Sequence, residues 1–243
     1  MIYSKKSVLH IEPDTKLADL VHTDHRLLLT INRFNIPFGF RDKTIQEVCK
    51  QNQVDTACFI AIMRLLTNPE NFDTQAYLHL NPAAMLGYLR NSHYYFLEKR
   101  LPDIRENLSA ILENVDEISR TSILNFFDQY FKEVQEHMGY ENLIVFPYIE
   151  KLLNGEPLNG FSINEFESHH SNIHEKLIDL KNIIIKYLQL PGDNYKVTNV
   201  LFDIFQSEED INIHCYIENE ILVPIVRNIE NNMHLNRKND GNC

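Results

Sequence analysis

The step His-x-x-x-Glu-Asn, followed by an apolar run that ends in proline, is written twice in this chain. The first copy is HMGYENLIVFP from His137 and the second is HCYIENEILVP from His214. Counterparts stand 77 residues apart: His137 and His214, Glu141 and Glu218, Pro147 and Pro224. The same register carries His93 onto His170, and each of these lies 44 residues before the His of the following copy. Residues four apart on an α-helix share one face, about 6 Å apart along the axis. In the second long helix that face reads Tyr130, Val134, His137, Glu141, Ile144, Tyr148; in the fourth it reads Ile204, Ile211, His214, Glu218, Ile221, Ile225. His93 sits on a similar stripe with Leu86, Leu89 and Phe96. Ionisable groups on a buried stripe are costly unless paired or metal-bound. The chain must therefore fold so that its helices bring these groups together.

The remaining sequence supports helices joined by short turns. Residues 15–66 carry short helical patterns broken by FNIPFGFRDK, and TNPENFDTQAYLHLNP lacks a period and holds two prolines. Asn81 before Pro82 is a helix start, because proline lacks the amide that the first turn leaves unused. Ser162 with Glu165 reads as a capping box, flanked by Phe161 and Phe166 as a staple. Ile163, Phe166, Ile173, Leu177, Leu180 and Ile184 then recur at helical steps, with His170 in the gap, until Pro191-Gly192 stops the pattern. Pro102 and Pro147 interrupt helical patterns and predict a kink or an early end. The expected architecture is all-α. A small helical N-terminal module spans 1–70, a linker 71–82, an antiparallel four-helix bundle 83–232 and a flexible tail 233–243.

Within the bundle the duplication predicts two helical hairpins. Each offers one His from its first helix and a His and a Glu from its second. The six residues are His93, His137, Glu141, His170, His214 and Glu218. One His on an apolar stripe is usually a hydrogen-bonded core residue; two copies in register are hard to reach by accident. Two His per metal and two bridging carboxylates give four protein ligands apiece and leave open positions. That suits two non-haem iron ions, with manganese second; a structural zinc site would close its shell. The register selects His170 over His169, which reads as an outer or surface residue. His174, four residues after His170, is a lesser candidate for an extra ligand. Cys215 follows a ligand directly and is expected to point away from the metals. His22, His25 and His79 lie outside the bundle.

Composition narrows the function. A net charge of −11 argues against a general nucleic-acid surface. Four cysteines with no CxxC spacing suggest reduced thiols and a cytoplasmic setting. The N-terminus has no signal-like apolar core, and no run of about 18 apolar residues predicts a membrane span. No GxGxxG, GxxxxGK or GxSxG occurs, so phosphate-loop and nucleophile-elbow readings have no support.

At these residues the chain resembles the hemerythrin-like bundles, and among them the iron–sulfur cluster repair branch, also called repair of iron centres. SHYYFLEKRLP, with a His ahead of Leu-Pro, and the SHH step at 168–170 carry the likeness to that branch. In some members the first His is offset by one, onto the position of Tyr94; the 77-residue register selects His93. The resemblance covers 83 to about 230. It implies that the six residues above bind two irons, with Glu141 and Glu218 bridging. The N-terminal part resembles the same branch's small helical module, but Gly39 and Phe40 stand where that module has adjacent cysteines, so a packing or docking role is expected there. The function implied is repair of iron–sulfur clusters damaged by oxidative or nitrosative stress, as an iron donor to iron–sulfur proteins or a cluster scaffold. The alternative is a module that senses or binds dioxygen or nitric oxide. An oxidase-like enzyme is disfavoured by the few carboxylates and the lack of recognisable substrate-pocket residues.

Overall fold

The structure is a computed structural model that describes residues 10–156, 160–169, 175–188 and 194–240. These residues are largely helical. Among them there is no β-strand, only a lone antiparallel bridge between Lys16 and Thr44. The chain forms two compact units, Met1–Asn91 with Tyr216–Cys243, and Ser92–Cys215. The division cuts through two helices rather than through residues 71–82.

The first unit begins with four short helices: α1 (Leu17–Thr23), α2 (Leu27–Arg33), α3 (Ile45–Gln51) and α4 (Thr56–Thr67). A capping box starts α3, where Thr44 Oγ1 accepts from the Glu47 amide and the Glu47 carboxylate accepts from the Thr44 amide. Leu17, Leu20, Leu27, Ile31, Ile45, Val48 and Phe59 are buried. The turn between α2 and α3 holds Gly39 at φ +95°, a conformation that L side chains rarely adopt. A side chain there would strain the backbone, so the turn as it stands calls for glycine. Two short 3₁₀ turns, Pro69–Asn71 and Thr74–Tyr77, precede α5 (Pro82–Tyr95). Asn81 Oδ1 accepts from the Ala83 amide at this start. Within the unit, Asn91 Nδ2 donates to the Arg33 carbonyl at 2.7 Å. The final helix, α12 (Val223–Asp240), runs past residue 233, where the sequence reading places a flexible tail.

The second unit holds the end of α5, then α6 (Leu101–Ile111), α7 (Glu117–Tyr140), α8 (Phe146–Leu153), α9 (Ile163–His169), α10 (Glu175–Asn182) and most of α11 (Asn194–Ile217). Its core is drawn from α6, α7, α10 and α11. Leu101, Ile104 and Leu108 of α6, Phe127, Tyr130 and Val134 of α7, Leu177 and Leu180 of α10, and Val200, Ile204 and Ile211 of α11 form one buried cluster. The helices hold register through charged pairs. Arg105 makes a two-pronged pair with Asp128 of α7 at 2.6 and 3.1 Å. Lys176 pairs with Glu133, and Lys181 with Glu208. Arg100 donates to Ser207 Oγ, to the Asp203 side chain and carbonyl, and to Gln206, all on α11. Arg100 lies seven residues after His93, and Ser207 lies seven before His214. Since His93 also meets His214, the two segments run antiparallel. At α9, Ser162 Oγ accepts from the Asn164 amide.

The kinks expected at proline take one form. Stretches of π-helix at Phe96–Arg100, Glu141–Val145 and Glu218–Leu222 each end one residue before a helix with proline second, namely Pro102, Pro147 and Pro224. In each, the amide closing the wide turn bonds a carbonyl five residues back: Leu101 to Phe96, Phe146 to Glu141, Val223 to Glu218. A proline inside an α-helix lacks an amide and strikes the carbonyl four residues earlier. One wider turn relieves both faults without ending the helix. The duplication repeats proline and π-turn together at 147 and 224; the residue 77 after Pro102 is Asp179, inside the α-helical α10. A fourth stretch, Ile183–Tyr187, closes α10. The buried stripe of the first copy departs from the expected one at this turn. Ile144, expected on the seam, is 46% exposed, and Val145 is 0% exposed in its place.

Candidate metal centre

Four of the six predicted ligands lie in the second unit and meet there. His93 comes from the last turn of α5, His137 from the last turn of α7, Glu141 from the start of the following π-turn, and His214 from the last turn of α11. Glu141 is central. Its Oε1 lies 2.9 Å from His137 Nε2, and its Oε2 lies 2.9 Å from His93 Nε2 and 4.0 Å from His214 Nε2. The two Nε2 atoms of His93 and His214 are 3.3 Å apart. His93, Glu141 and His214 are buried.

Aromatic rings fix the imidazoles. His93 stacks on Phe146 with centroids 5.3 Å apart and planes 12° from parallel, and Phe96 meets His214 edge-on at 6.1 Å. Asn142 Oδ1 lies 3.1 Å from His93 Nδ1. The sequence reading missed both Asn142 and Phe146 as site residues. The repeated Asn after each Glu was the available signal for Asn142. Phe146 had none, because its counterpart in the second copy is Val223.

Imidazole nitrogens and carboxylate oxygens that face one another at these distances need a hydrogen or a cation between them. Charge buried among apolar residues is tolerated only when it is matched in this way. Three imidazoles and one carboxylate form a mixed nitrogen and oxygen donor set, which suits iron or a similar divalent metal. The residues present fit such an ion.

A model of the hemerythrin HHE cation binding domain matches residues 85–226, more than half of the chain. The chain belongs to the hemerythrin family. No curated protein and no solved structure was found to match it. The hemerythrin match spans all six predicted ligands and both copies of the motif.

Within this hemerythrin domain the remaining predicted residues fall as follows. Glu218 is buried at the start of its own π-turn, four residues after His214, and belongs to the first unit. His170 and His174 lie outside the described residues. His169 is the last residue of α9. Cys215 corrects the expectation that it turns away. It is half-buried, and its Sγ lies within 4.8 Å of a His137 ring nitrogen. It sits one residue past His214, about 100° around α11. The direction it faces therefore depends on which helices flank α11, and the stripe of α11 alone does not contain that. In the N-terminal unit Cys49 and Cys58 are buried free thiols. Burial raises the Cys49 thiol to about 11 and pushes Cys58 up as well. No described helix is long and apolar enough to cross a membrane.

Proposed function

We propose that this hemerythrin-family protein is a non-haem di-iron protein that repairs iron–sulfur clusters damaged by oxidative or nitrosative stress, acting as an iron donor. The observation that carries the reading is the meeting of His93, His137 and His214 on the single carboxylate of Glu141. The full ligand set proposed is these four with His170 and Glu218, arranged for two irons by the 77-residue register. A donor must release its cargo. Imidazole ligands favour release, because protons compete with metal for the ring nitrogen. The partners proposed are iron–sulfur proteins or a cluster scaffold in the cytoplasm.

A second reading has its own support. Gly39 and Phe40 replace the adjacent cysteines of the repair branch, and Cys49 and Cys58 are buried. A protein without that thiol chemistry suits a sensor or carrier of dioxygen or nitric oxide. One experiment separates the two. The reduced, iron-loaded protein is mixed anaerobically with an apo iron–sulfur protein and a sulfide source. The donor reading expects the acceptor's cluster to form while iron here is depleted, and His137→Ala to abolish the transfer. Full retention of iron, with reversible binding of dioxygen or nitric oxide, would overturn it in favour of the sensor.

A further inference from the structure

One imidazole in the second unit is gripped at both nitrogens by two consecutive residues. Glu141 Oε2 lies 2.9 Å from His93 Nε2, and Asn142 Oδ1 lies 3.1 Å from His93 Nδ1. Both come from the same π-turn, and its closing residue Phe146 stacks on the same ring. Successive residues of a regular helix point about 100° apart. A turn of π-helix is wider and holds both side chains against one ring from adjacent positions. We propose that Asn142 is a positioning residue for the metal centre. Its amide oxygen holds the hydrogen of His93 on Nδ1, so that Nε2 presents its lone pair to a divalent cation beside Glu141. The inference rests on the metal-binding reading above.

The chemistry is that of a neutral imidazole, which carries one N–H and one lone pair. An amide oxygen only accepts. With Oδ1 against Nδ1, the N–H belongs at Nδ1 and the lone pair at Nε2. The opposite tautomer would set a lone pair against the amide oxygen and an N–H where the cation belongs. A group that orients a ligand imidazole in this way is typically worth about 10- to 100-fold in metal affinity. Glu141 cannot take over the task, because both of its oxygens already face ring nitrogens.

The test compares Asn142→Leu and Asn142→Asp with the parent protein. Leucine has a similar size and no acceptor; aspartate keeps an acceptor toward Nδ1. Affinity for Fe(II) and for Zn(II) is measured by competition with a chelator. The His93 ring is followed by long-range ¹⁵N–¹H spectra of the zinc-loaded protein. Asn142 is half-buried, and thermal unfolding of each metal-free variant controls for folding. The expected result is a loss of about 10- to 100-fold in affinity for Asn142→Leu, with parent-like affinity and a retained Nδ1 proton signal for Asn142→Asp. Parent-like affinity in Asn142→Leu overturns the positioning role. An equal loss in both variants also overturns it, since the amide's N–H, absent from both, would then be what matters. Failure of the parent protein itself to bind either ion overturns the metal-binding reading, and with it this one.

Discussion

His93 Nε2 and His214 Nε2 face each other across 3.3 Å, although 121 residues separate them in the chain. The contact joins the last turn of α5 to the last turn of α11, and each imidazole is braced by an aromatic ring, Phe146 for His93 and Phe96 for His214. Two ring nitrogens held this close to the Glu141 carboxylate give each site residue a measurable consequence.

Glu141 touches two imidazoles directly, so its removal should act on the whole centre. The parent protein, reconstituted anaerobically, is expected to hold close to two irons per chain, and Glu141→Ala close to none. Iron analysis by plasma mass spectrometry checks both values. A variant that loses one iron while binding the other normally would show that Glu141 serves a single metal.

Thiol reactivity should separate Cys215 from the buried pair. Cys215 is half-buried beside His137, whereas Cys49 and Cys58 are closed off in the N-terminal unit. In native, metal-free protein, iodoacetamide should label Cys215 well before Cys49 or Cys58, and metal loading should slow its labelling. Peptide mass spectrometry reads the order. Equal labelling of Cys49 and Cys215 would contradict the burial argument.

The same burial gives the protein an alkaline limit. Cys49 is raised from 9.0 to about 11 by desolvation, and Cys58 shifts the same way. A group whose folded value is raised contributes stability that is complete below its unfolded value and lost as pH rises through the folded one. The urea midpoint should therefore fall between pH 9 and pH 11. Cys49→Ala with Cys58→Ala should lose part of that pH dependence and keep its iron. An identical alkaline decline in parent and variant would remove these thiols as the cause.

The π-turn at Glu141 can be tested by shortening it. Leu143 is 76% exposed, so its deletion removes little from the core. Combined with Pro147→Ala, the deletion lets the segment close as a regular α-helix, rotated by about 100° past that point. Helix content by circular dichroism should hold while iron binding fails. Full iron binding in this variant would show that the wide turn is not needed.

Much of this was legible in the sequence because duplication leaves an arithmetic trace. The 77-residue register singled out His93, His137, Glu141 and His214, and the apolar stripes identified helices with a shared core. What stayed hidden depended on local geometry. Ile144 and Val145 are both apolar, and the stripe alone does not say which one is buried. Pro147 announced a disturbance but did not say whether the helix would end or widen. Cys215 faces His137 because of how neighbouring helices flank α11, which the stripe of a single helix does not encode. Asn142 was visible as a repeated letter, but its partner lies on another helix and could be named only in three dimensions.

The pairing of a wide turn with a proline six residues after its first carboxylate changes what counts as the motif. A protein engineer who copies only His137 and Glu141 onto a straight scaffold helix would transfer two ligands and lose the bend that aims the residues after them. The portable cassette is the whole run from His137 to Pro147. Its length is a frame: adding or removing one residue inside it turns every downstream side chain to a new face, while an exchange at an exposed position such as Leu143 leaves the frame intact. Tolerance to substitution and intolerance to insertion should therefore coexist within the same eleven residues.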